Sequence, residues 1–223
     1  MPTIQPIEQQ LRDLRAELTP ASEAPPAVVT EFAAGRGRLA TLAVLAAQQG
    51  RVIVSDRNSL QLLAARSTEA PLRRWFAGLA DGEGAALRTL PALADACGPA
   101  AGPEPLAGCQ AYPSYLAWLA LNGRPPGVAA ALVANFAAWG GYCATLAAAL
   151  RRFHGFGEEA CAFFDFFAQP PTGLERAAAE ALGPEGLSGP DLAAAREYGR
   201  LLQAYERLFW STLAGLPPGG SHS

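Results

Sequence analysis

The chain has 223 residues, and half of them are hydrophobic, so it can bury a substantial core and is too apolar to be a disordered protein. Its formal net charge is -3 and its isoelectric point is near 5.5, which argues against direct nucleic-acid binding, because that function needs a basic surface. All 17 basic residues are arginines, which excludes mechanisms that depend on a Schiff-base lysine or a phosphate-binding lysine.

Apolar residues at helical spacing predict helices from the start of the chain. The first predicted helix covers residues 4–18 and ends before a Thr-Pro pair. The second covers about residues 26–49. Gly35 and Gly37 weaken it locally, because a glycine inside a helix costs about 1 kcal/mol relative to alanine.

The next segment allows two interpretations. Residues 51–54, Arg-Val-Ile-Val, are compatible with a short strand, but Ser55-Asp56 is a typical N-cap and favours the start of another helix. Two further helices are predicted over residues 71–79 and 83–97. Pro91 should kink or break the second of these, because proline removes a helical hydrogen bond.

A loop from Gly98 to Pro105 separates these first helices from five more predicted helices. The sequence contains no convincing strand and no repeat. We therefore predict an all-α fold with one packed core, in a single helical domain over residues 1–215 followed by a disordered tail over residues 216–223. The five later helices are predicted over residues 112–121, 125–153, 158–168, 172–182 and about 188–213.

Nothing in the sequence indicates secretion, a membrane span or a metal site. The first twelve residues lack the basic and apolar regions of a signal peptide, and glycine, asparagine and arginine interrupt the alanine-rich stretches. Four widely spaced cysteines and two histidines offer no zinc-binding pattern. We expect a cytoplasmic protein that uses no metal and no cofactor, and that has neither nucleic-acid nor membrane partners.

The last predicted helix places a carboxylate in an apolar stripe. Leu202, Tyr205, Phe209 and Trp210 fall on one face of this helix, and Glu206 lies among them. An unpaired buried charge is costly, so Glu206 must reach solvent at a helix end or point into a cavity with a partner.

Three sequence blocks occur in an informative order: Tyr112-Pro-Ser-Tyr115-Leu, then Ala129-Ala-Ala-Leu-Val-Ala-Asn135-Phe-Ala-Ala-Trp139, then Tyr-Glu206-x-x-Phe-Trp. Together they resemble the TenA (thiaminase II) family. The resemblance implies a single-domain, haem-oxygenase-like helical bundle that assembles as a homo-dimer or homo-tetramer, and it implies a small-molecule heterocycle as the ligand.

In that family a cysteine thiolate attacks the carbon that joins an aminopyrimidine to its leaving group, while a tyrosine and a carboxylate handle the protons. Here Asn135 stands at the position of the cysteine, and an amide cannot be that nucleophile. Trp139 stands at the position of a tyrosine, and Phe163 or Phe167 supplies the aromatic ring expected after it. Residues 42–47, where the family has an aspartate that binds the pyrimidine, are entirely apolar.

The resemblance implies Glu206 and Tyr112 as the catalytic residues. Cys143 lies one turn beyond Trp139 and could line the same cavity, although a small buried hydrophobe is the more common role of such a cysteine. Asp165, among four phenylalanines, either lines the cavity or lies on an exposed face. The expected ligand-binding residues are Asn135, Trp139, Phe163, Tyr115 and Cys143.

Three hypotheses for the function follow. In the first, the protein is a hydrolase that binds an aminopyrimidine or a similar N-heterocycle and uses water activated by Glu206, with slow or absent cleavage of thiamin itself. In the second, it is a non-catalytic ligand-binding or regulatory protein. In the third, side chains fill the cavity and the protein acts through its surface. The family has been labelled as transcriptional regulators, but no DNA-reading element is evident.

Overall fold

The structure is a computed structural model that describes residues 6–18, 24–100, 104–169 and 173–217. These ranges contain nine helices and no strand, which confirms the all-α prediction. Most of the predicted disordered tail, residues 218–223, lies outside the described residues. The helices are α1 (Ile7–Leu18), α2 (Ala27–Ala33), α3 (Leu39–Arg66), α4 (Ala70–Cys97), α5 (Ala107–Asn122), α6 (Pro125–His154), α7 (Glu158–Ala168), α8 (Leu174–Leu182) and α9 (Gly189–Ala214).

The helix predicted over residues 26–49 is two helices, α2 and the start of α3. Gly35 has a φ of 72°, in the left-handed region that favours glycine, and it ends α2. The amide of Gly35 donates to the carbonyl of Phe32 at 2.9 Å, and the amide of Arg36 donates to the carbonyl of Glu31 at 2.9 Å. These two bonds satisfy carbonyls of the last helical turn, so the chain can change direction before α3.

Gly37 is required by a close approach in the same turn. A Cβ atom at this position would lie 2.2 Å from Cγ of Phe32, and the ring cannot move away because Phe32 is only 1% exposed. Gly37→Ala is expected to lower the free energy of unfolding by about 1–3 kcal/mol, measured by chemical denaturation. The matched control is Gly141→Ala, because a Cβ there would meet nothing within 4 Å. Equal destabilisation by the two substitutions would contradict this account.

The short strand considered for residues 51–54 does not form, because these residues lie inside α3. The interpretation of Asp56 as a helix N-cap is also wrong, since it lies in the middle of α3 and is 7% exposed. Val52 and Ile53 are buried. Their packing against neighbouring helices outweighs the preference of β-branched residues for strands.

α4 runs without a break where two separate helices were predicted, and Pro91 lies inside it. The proline is exposed, so the carbonyl that loses its helical hydrogen bond remains close to solvent. α3 and α4 are joined by residues 67–69 and form a long antiparallel pair with the most extensive helix–helix packing among the described elements.

α5 begins at Ala107, earlier than the predicted residue 112, because a side chain from α3 holds its start. Gln48, which is fully buried, donates from Nε2 to the carbonyl of Glu104 at 2.9 Å and accepts from the amide of Leu106 at 3.1 Å. These bonds satisfy backbone groups ahead of the first turn. They also fix the position of Tyr112 one turn and a half into the helix.

α6 is the central helix, and it packs against α1, α2, α7, α8 and α9. By length and composition alone, an 18-residue stretch of α6 is apolar enough to cross a membrane, with a mean hydropathy of 1.3. This was not predicted from the sequence, because glycine and asparagine interrupt its run of alanines. Because 56% of that stretch is buried inside the protein, its position in the core accounts for its apolarity. The cytoplasmic location stays a prediction.

Several large apolar side chains of α5 and α9 are exposed. Trp118 is 50% exposed and Leu121 is 66% exposed on α5, and Leu208 is 43% exposed on α9. The homo-dimer or homo-tetramer that the family resemblance implies stays a prediction.

Candidate functional site

A cavity of about 470 Å³ lies between the α3–α4 pair and helices α5 to α9, each of which contributes at least one lining residue. This volume is in the range of pockets that bind small molecules. The interior is therefore open, and the hypothesis of a cavity filled by side chains does not agree with the structure.

Aromatic rings form much of the wall. Trp139 of α6 lies with its ring centroid 5.9 Å from that of Phe167 of α7 and 5.6 Å from that of Trp210 of α9. Such rings offer flat apolar surfaces on which a planar ligand can stack. The aromatic residues that line the cavity are Trp75, Phe136, Trp139, Phe166, Phe167 and Phe209, together with Tyr112.

Two glycines of α4, Gly78 and Gly82, lie one helical turn apart and face the cavity. A Cβ at Gly78 would meet nothing within 4 Å, and one at Gly82 would lie 3.7 Å from Cζ of Phe166. Glycine inside a helix is unfavourable, so these two positions cost stability and in return leave space beside the aromatic wall.

Three carboxyl side chains line the cavity: Asp56 of α3, Glu83 of α4 and Glu206 of α9. Burial raises the pKa of Asp56 well above its usual value, and the nearby charge of Glu83 raises it further. Burial also raises the pKa of Glu83, to about 7. At least part of this acidic group is therefore protonated in the empty protein at neutral pH.

Tyr112 lies close to all three carboxyl groups. Burial first, and then the charges of Asp56, Glu206 and Glu83, raise the pKa of its phenol well above the usual value. The hydroxyl is consequently neutral at any physiological pH and can donate a hydrogen bond or a proton.

Glu206 points into the cavity, which is one of the two placements that its position in an apolar stripe required. The indole Nε1 of Trp210, one turn further along α9, donates to Oε1 of Glu206 at 3.4 Å. The bond is long by the usual criteria, so it orients the carboxylate more than it stabilises it.

Three buried polar atoms on the lining residues have no hydrogen-bond partner within the part of the chain that the structure describes. They are Oδ1 of Asp56, Nε1 of Trp75 and Oδ1 of Asn135, on side chains that are 7%, 7% and 5% exposed. The amide nitrogen of Asn135 already donates to the carbonyl of Ala131 at 2.9 Å, so its orientation is fixed. Leaving such atoms unpaired costs about 1–3 kcal/mol each, and a bound ligand with matching groups would recover that cost.

The structure brings together Glu206, Tyr112, Asn135 and Trp139, which all line the cavity as the sequence predicts. Whether they bind or convert a ligand stays a prediction.

The other three predicted ligand-binding residues do not line the cavity. Phe163 is completely buried behind Phe167, with ring centroids 5.3 Å apart. Tyr115 lies beside Tyr205 of α9 at a centroid distance of 5.2 Å. Cys143 is completely buried in the core. One helical turn separates Cys143 from Trp139, but the cysteine packs among buried apolar residues of the core.

Asp165 also lies away from the cavity lining, where Arg151 donates to both of its carboxyl oxygens. No cysteine is found among the described residues that line the cavity, so a thiolate is missing from the lining as well as from position 135.

The polar lining residues that sequence reasoning missed include Asp56, Glu83 and Trp75. Residues 42–47 are apolar as expected, but α3 supplies a carboxyl group further along its length, at Asp56. Gln49 also lines the cavity and lies two helical turns before Asp56, so this spacing of polar residues in an apolar helix could have indicated the site.

Comparison with solved structures identifies the fold. The chain is similar to a TenA homologue from Pseudomonas syringae pv. tomato, with a TM-score of 0.71, 12% identity, and coverage of 94% of this chain and 91% of that one. It is similar to a TenA homologue from P. horikoshii, with a TM-score of 0.67, 15% identity, and coverage of 93% and 95%. A domain of unknown function with a haem-oxygenase-like fold from Shewanella denitrificans gives a TM-score of 0.70, 12% identity, and coverage of 93% and 90%.

The fold is haem-oxygenase-like. The resemblance to the TenA family that the three sequence blocks indicate is thus confirmed at the level of structure. No protein-family model and no curated protein matches the chain. At identities of 12–15%, the likeness to the solved structures establishes only the fold. The activity depends on the residues that line the cavity.

The residues of the haem-oxygenase-like cavity do not fit a haem. The described lining residues include no histidine, the usual axial ligand of a haem iron, since His154 is the last residue of α6 and its ring packs against Phe32 at 5.6 Å. His222 lies outside the described residues. Within the described ranges, no three acidic, histidine or cysteine side chains are grouped so that they could hold a metal ion.

Proposed function

We propose that this protein binds an aminopyrimidine or a related flat nitrogen heterocycle in the cavity. The observation that carries the proposal is the set of unpartnered polar atoms on Asp56, Trp75 and Asn135 in an otherwise aromatic cavity. An aminopyrimidine has amine hydrogens for the two side-chain oxygens and a ring nitrogen for the indole hydrogen. Its π-faces suit the aromatic walls.

For the chemistry we propose hydrolysis by water, with Glu206 as general base and the neutral phenol of Tyr112 as proton donor to the leaving group. Asn135 cannot attack carbon, so covalent transfer to the protein is not available at that position. A general base in hydrogen-bond reach of a water molecule typically contributes a rate factor of about 10² to 10⁴. Cleavage of thiamin should be slow, because the family's nucleophile is missing.

Binding is tested by thermal denaturation with 4-aminopyrimidine, thiamin and its aminopyrimidine fragment. A ligand present at about 100 times its dissociation constant stabilises the native state by about 2.7 kcal/mol, which is seen as a rise of several degrees in Tm. Trp75→Phe keeps an aromatic ring but removes the unpartnered N–H, and it is expected to weaken binding about tenfold. The control Trp118→Phe changes an exposed tryptophan of α5 and should leave affinity unchanged. No shift in Tm with any aminopyrimidine would overturn the proposal.

The second candidate function is ligand binding without catalysis, which the lack of a cysteine in the described lining favours. Glu206→Gln separates the two candidates when turnover and affinity are measured together. Loss of turnover with retained affinity supports a hydrolase, whereas a wild-type protein that binds but never converts its ligand is a binding or regulatory protein.

A further inference from the structure

Asp56 and Glu83, called here the acidic pair, take no part in the hydrolysis proposed above, although Oδ1 of Asp56 belongs to the proposed binding site for the heterocycle. They come from the antiparallel helices α3 and α4 and lie at similar distances from the loop that joins them. Both line the cavity, and the charge of Glu83 acts on Asp56. Two carboxyl groups that line the same apolar cavity repel each other when both are ionised.

We propose that the acidic pair is a binding subsite for a cationic group, so that the ligand is a flat heterocycle carrying a protonated nitrogen. This inference rests on the proposed function for the location of the ligand and goes beyond it by stating the charge of the ligand. It also assigns a role to two side chains that the sequence blocks did not include.

An observation independent of the acidic pair supports a ligand in this cavity. Trp75 of α4 and Asn135 of α6 both line the cavity, and each carries a buried polar atom without a partner among the described residues. Oδ1 of Asp56 itself is unpartnered, although the side chain is 7% exposed. A cation with N–H groups fits the two unpartnered oxygens, because Oδ1 of Asp56 and Oδ1 of Asn135 accept from it. The indole N–H of Trp75 is a donor and pairs with an unprotonated ring nitrogen of the ligand.

The surrounding charges also favour a cation. Glu206 from α9 adds a third carboxyl group, and Tyr112 from α5 is neutral. Arg74 of α4 is the one basic side chain among the described lining residues, and it is exposed, so solvent screens its charge. The described lining residues of α6, α7 and α8 carry no charge.

Outside the cavity, Arg57 lies near the backbone next to Glu83, since a Cβ at Gly84 would be 3.7 Å from its Nε. Arg88 donates to the carbonyl of Gly84 at 2.9 Å. Both arginines are exposed, so neither neutralises the acidic pair from within the cavity. When a cation enters, the pair gives up the protons that it holds in the empty protein, and binding is therefore coupled to proton release.

The experiment compares two probes of the same shape by titration calorimetry. 4-Aminopyridine is a cation at neutral pH, whereas 4-aminopyrimidine is neutral. The wild-type protein is expected to prefer 4-aminopyridine by about tenfold at about pH 8. Asp56→Asn and Glu83→Gln should each reduce this preference, and Glu83→Gln should also leave the affinity for 4-aminopyrimidine nearly unchanged. Asp81→Asn, which removes an exposed charge from the same helix, is the matched control and should keep the preference.

A second readout needs no substitution. The affinity of the wild-type protein for 4-aminopyridine is expected to rise about tenfold between about pH 6.5 and about pH 8, and titrations in buffers of different ionisation enthalpy should show proton release. The affinity for 4-aminopyrimidine should stay constant.

The outcomes separate this inference from the proposed function. A ratio of the two affinities that neither acidic-pair variant changes overturns the cation subsite and leaves aminopyrimidine binding intact. Binding of 4-aminopyridine alone supports the subsite and rejects neutral aminopyrimidines as the ligand class. Binding of neither probe overturns both.

Discussion

Phe163→Ala is expected to lower the free energy of unfolding by about 3–5 kcal/mol, the range found for large-to-small substitutions of fully buried aromatic residues. Phe163 is completely buried, and its ring packs edge-on against Phe164 and Phe167 at centroid distances of 5.4 and 5.3 Å. Truncation removes these contacts and leaves a void that neighbouring helices cannot close fully. Chemical denaturation measures the change.

The same substitution distinguishes a core role of Phe163 from a ligand-binding role. Because the side chain does not line the cavity, the protein that remains folded should bind its ligand with an affinity close to that of the wild type. The control is Phe166→Ala on the same helix, which removes a partly buried ring that does line the cavity. Phe166→Ala should lower the free energy of unfolding less than Phe163→Ala does, and it should weaken ligand binding more. If Phe163→Ala weakened ligand binding more than Phe166→Ala did, Phe163 would have to be a ligand-binding residue.

Phe163 also illustrates how far a sequence can define a site. An aromatic residue was expected from α7, and the sequence places four phenylalanines there. Neighbouring positions on a helix differ by about 100° in direction, so the helix rotation decides which of them reach the cavity. The rotation depends on tertiary packing, and it selects Phe166 and Phe167.

The helices of the second half were predictable because prolines, glycines and caps mark their ends. Pro125 begins α6, and Ser188 accepts from the amide of Asp191 at 3.3 Å at the start of α9. In the first half, local preferences conflicted with packing. Val52 and Pro91 each disfavour a helix, yet Val52 lies inside α3 and Pro91 lies inside α4, because the long contact between these two helices stabilises both.

The acidic pair was not predictable from the sequence for a related reason. Asp56 follows a serine and precedes an arginine and an asparagine, a context typical of a helix start. Glu83 lies between two glycines in a segment that suggests a turn. Only the continuity of α3 and α4 turns both carboxyl groups toward the same interior space.

The stability of the empty protein is expected to fall as the pH rises from about 4.5 to about 7, because of Glu83. Burial raises the pKa of this carboxyl from 4.5 to about 7, so the folded state holds its proton more tightly than the unfolded state does. The stabilising effect is complete at a pH below the pKa of Glu83 in the unfolded state, and it is lost as the pH rises to the pKa in the folded state. It amounts to about 3 kcal/mol in total, with a slope of about 1.4 kcal/mol per pH unit.

Glu83→Gln should remove the part of this dependence that Glu83 contributes, while the part due to buried Asp56 remains. The variant is expected to match the wild type near pH 4.5 and to exceed its stability by up to about 3 kcal/mol at about pH 8, measured by urea denaturation across the range. Asp81→Asn, two residues earlier and exposed, should follow the wild-type curve. Parallel curves for wild type and Glu83→Gln would show that Glu83 titrates normally.

The instability expected of the empty cavity at neutral pH and the proposed cation subsite have one physical origin. Two carboxyl groups held out of water are unfavourable when ionised and unpartnered, and a bound cation converts the same charges into attractive contacts. The Glu83→Gln protein should therefore be more stable without ligand but gain less stability from a cationic ligand than the wild type. Opposite changes of these two quantities in one variant would be difficult to explain by a purely structural role for the pair.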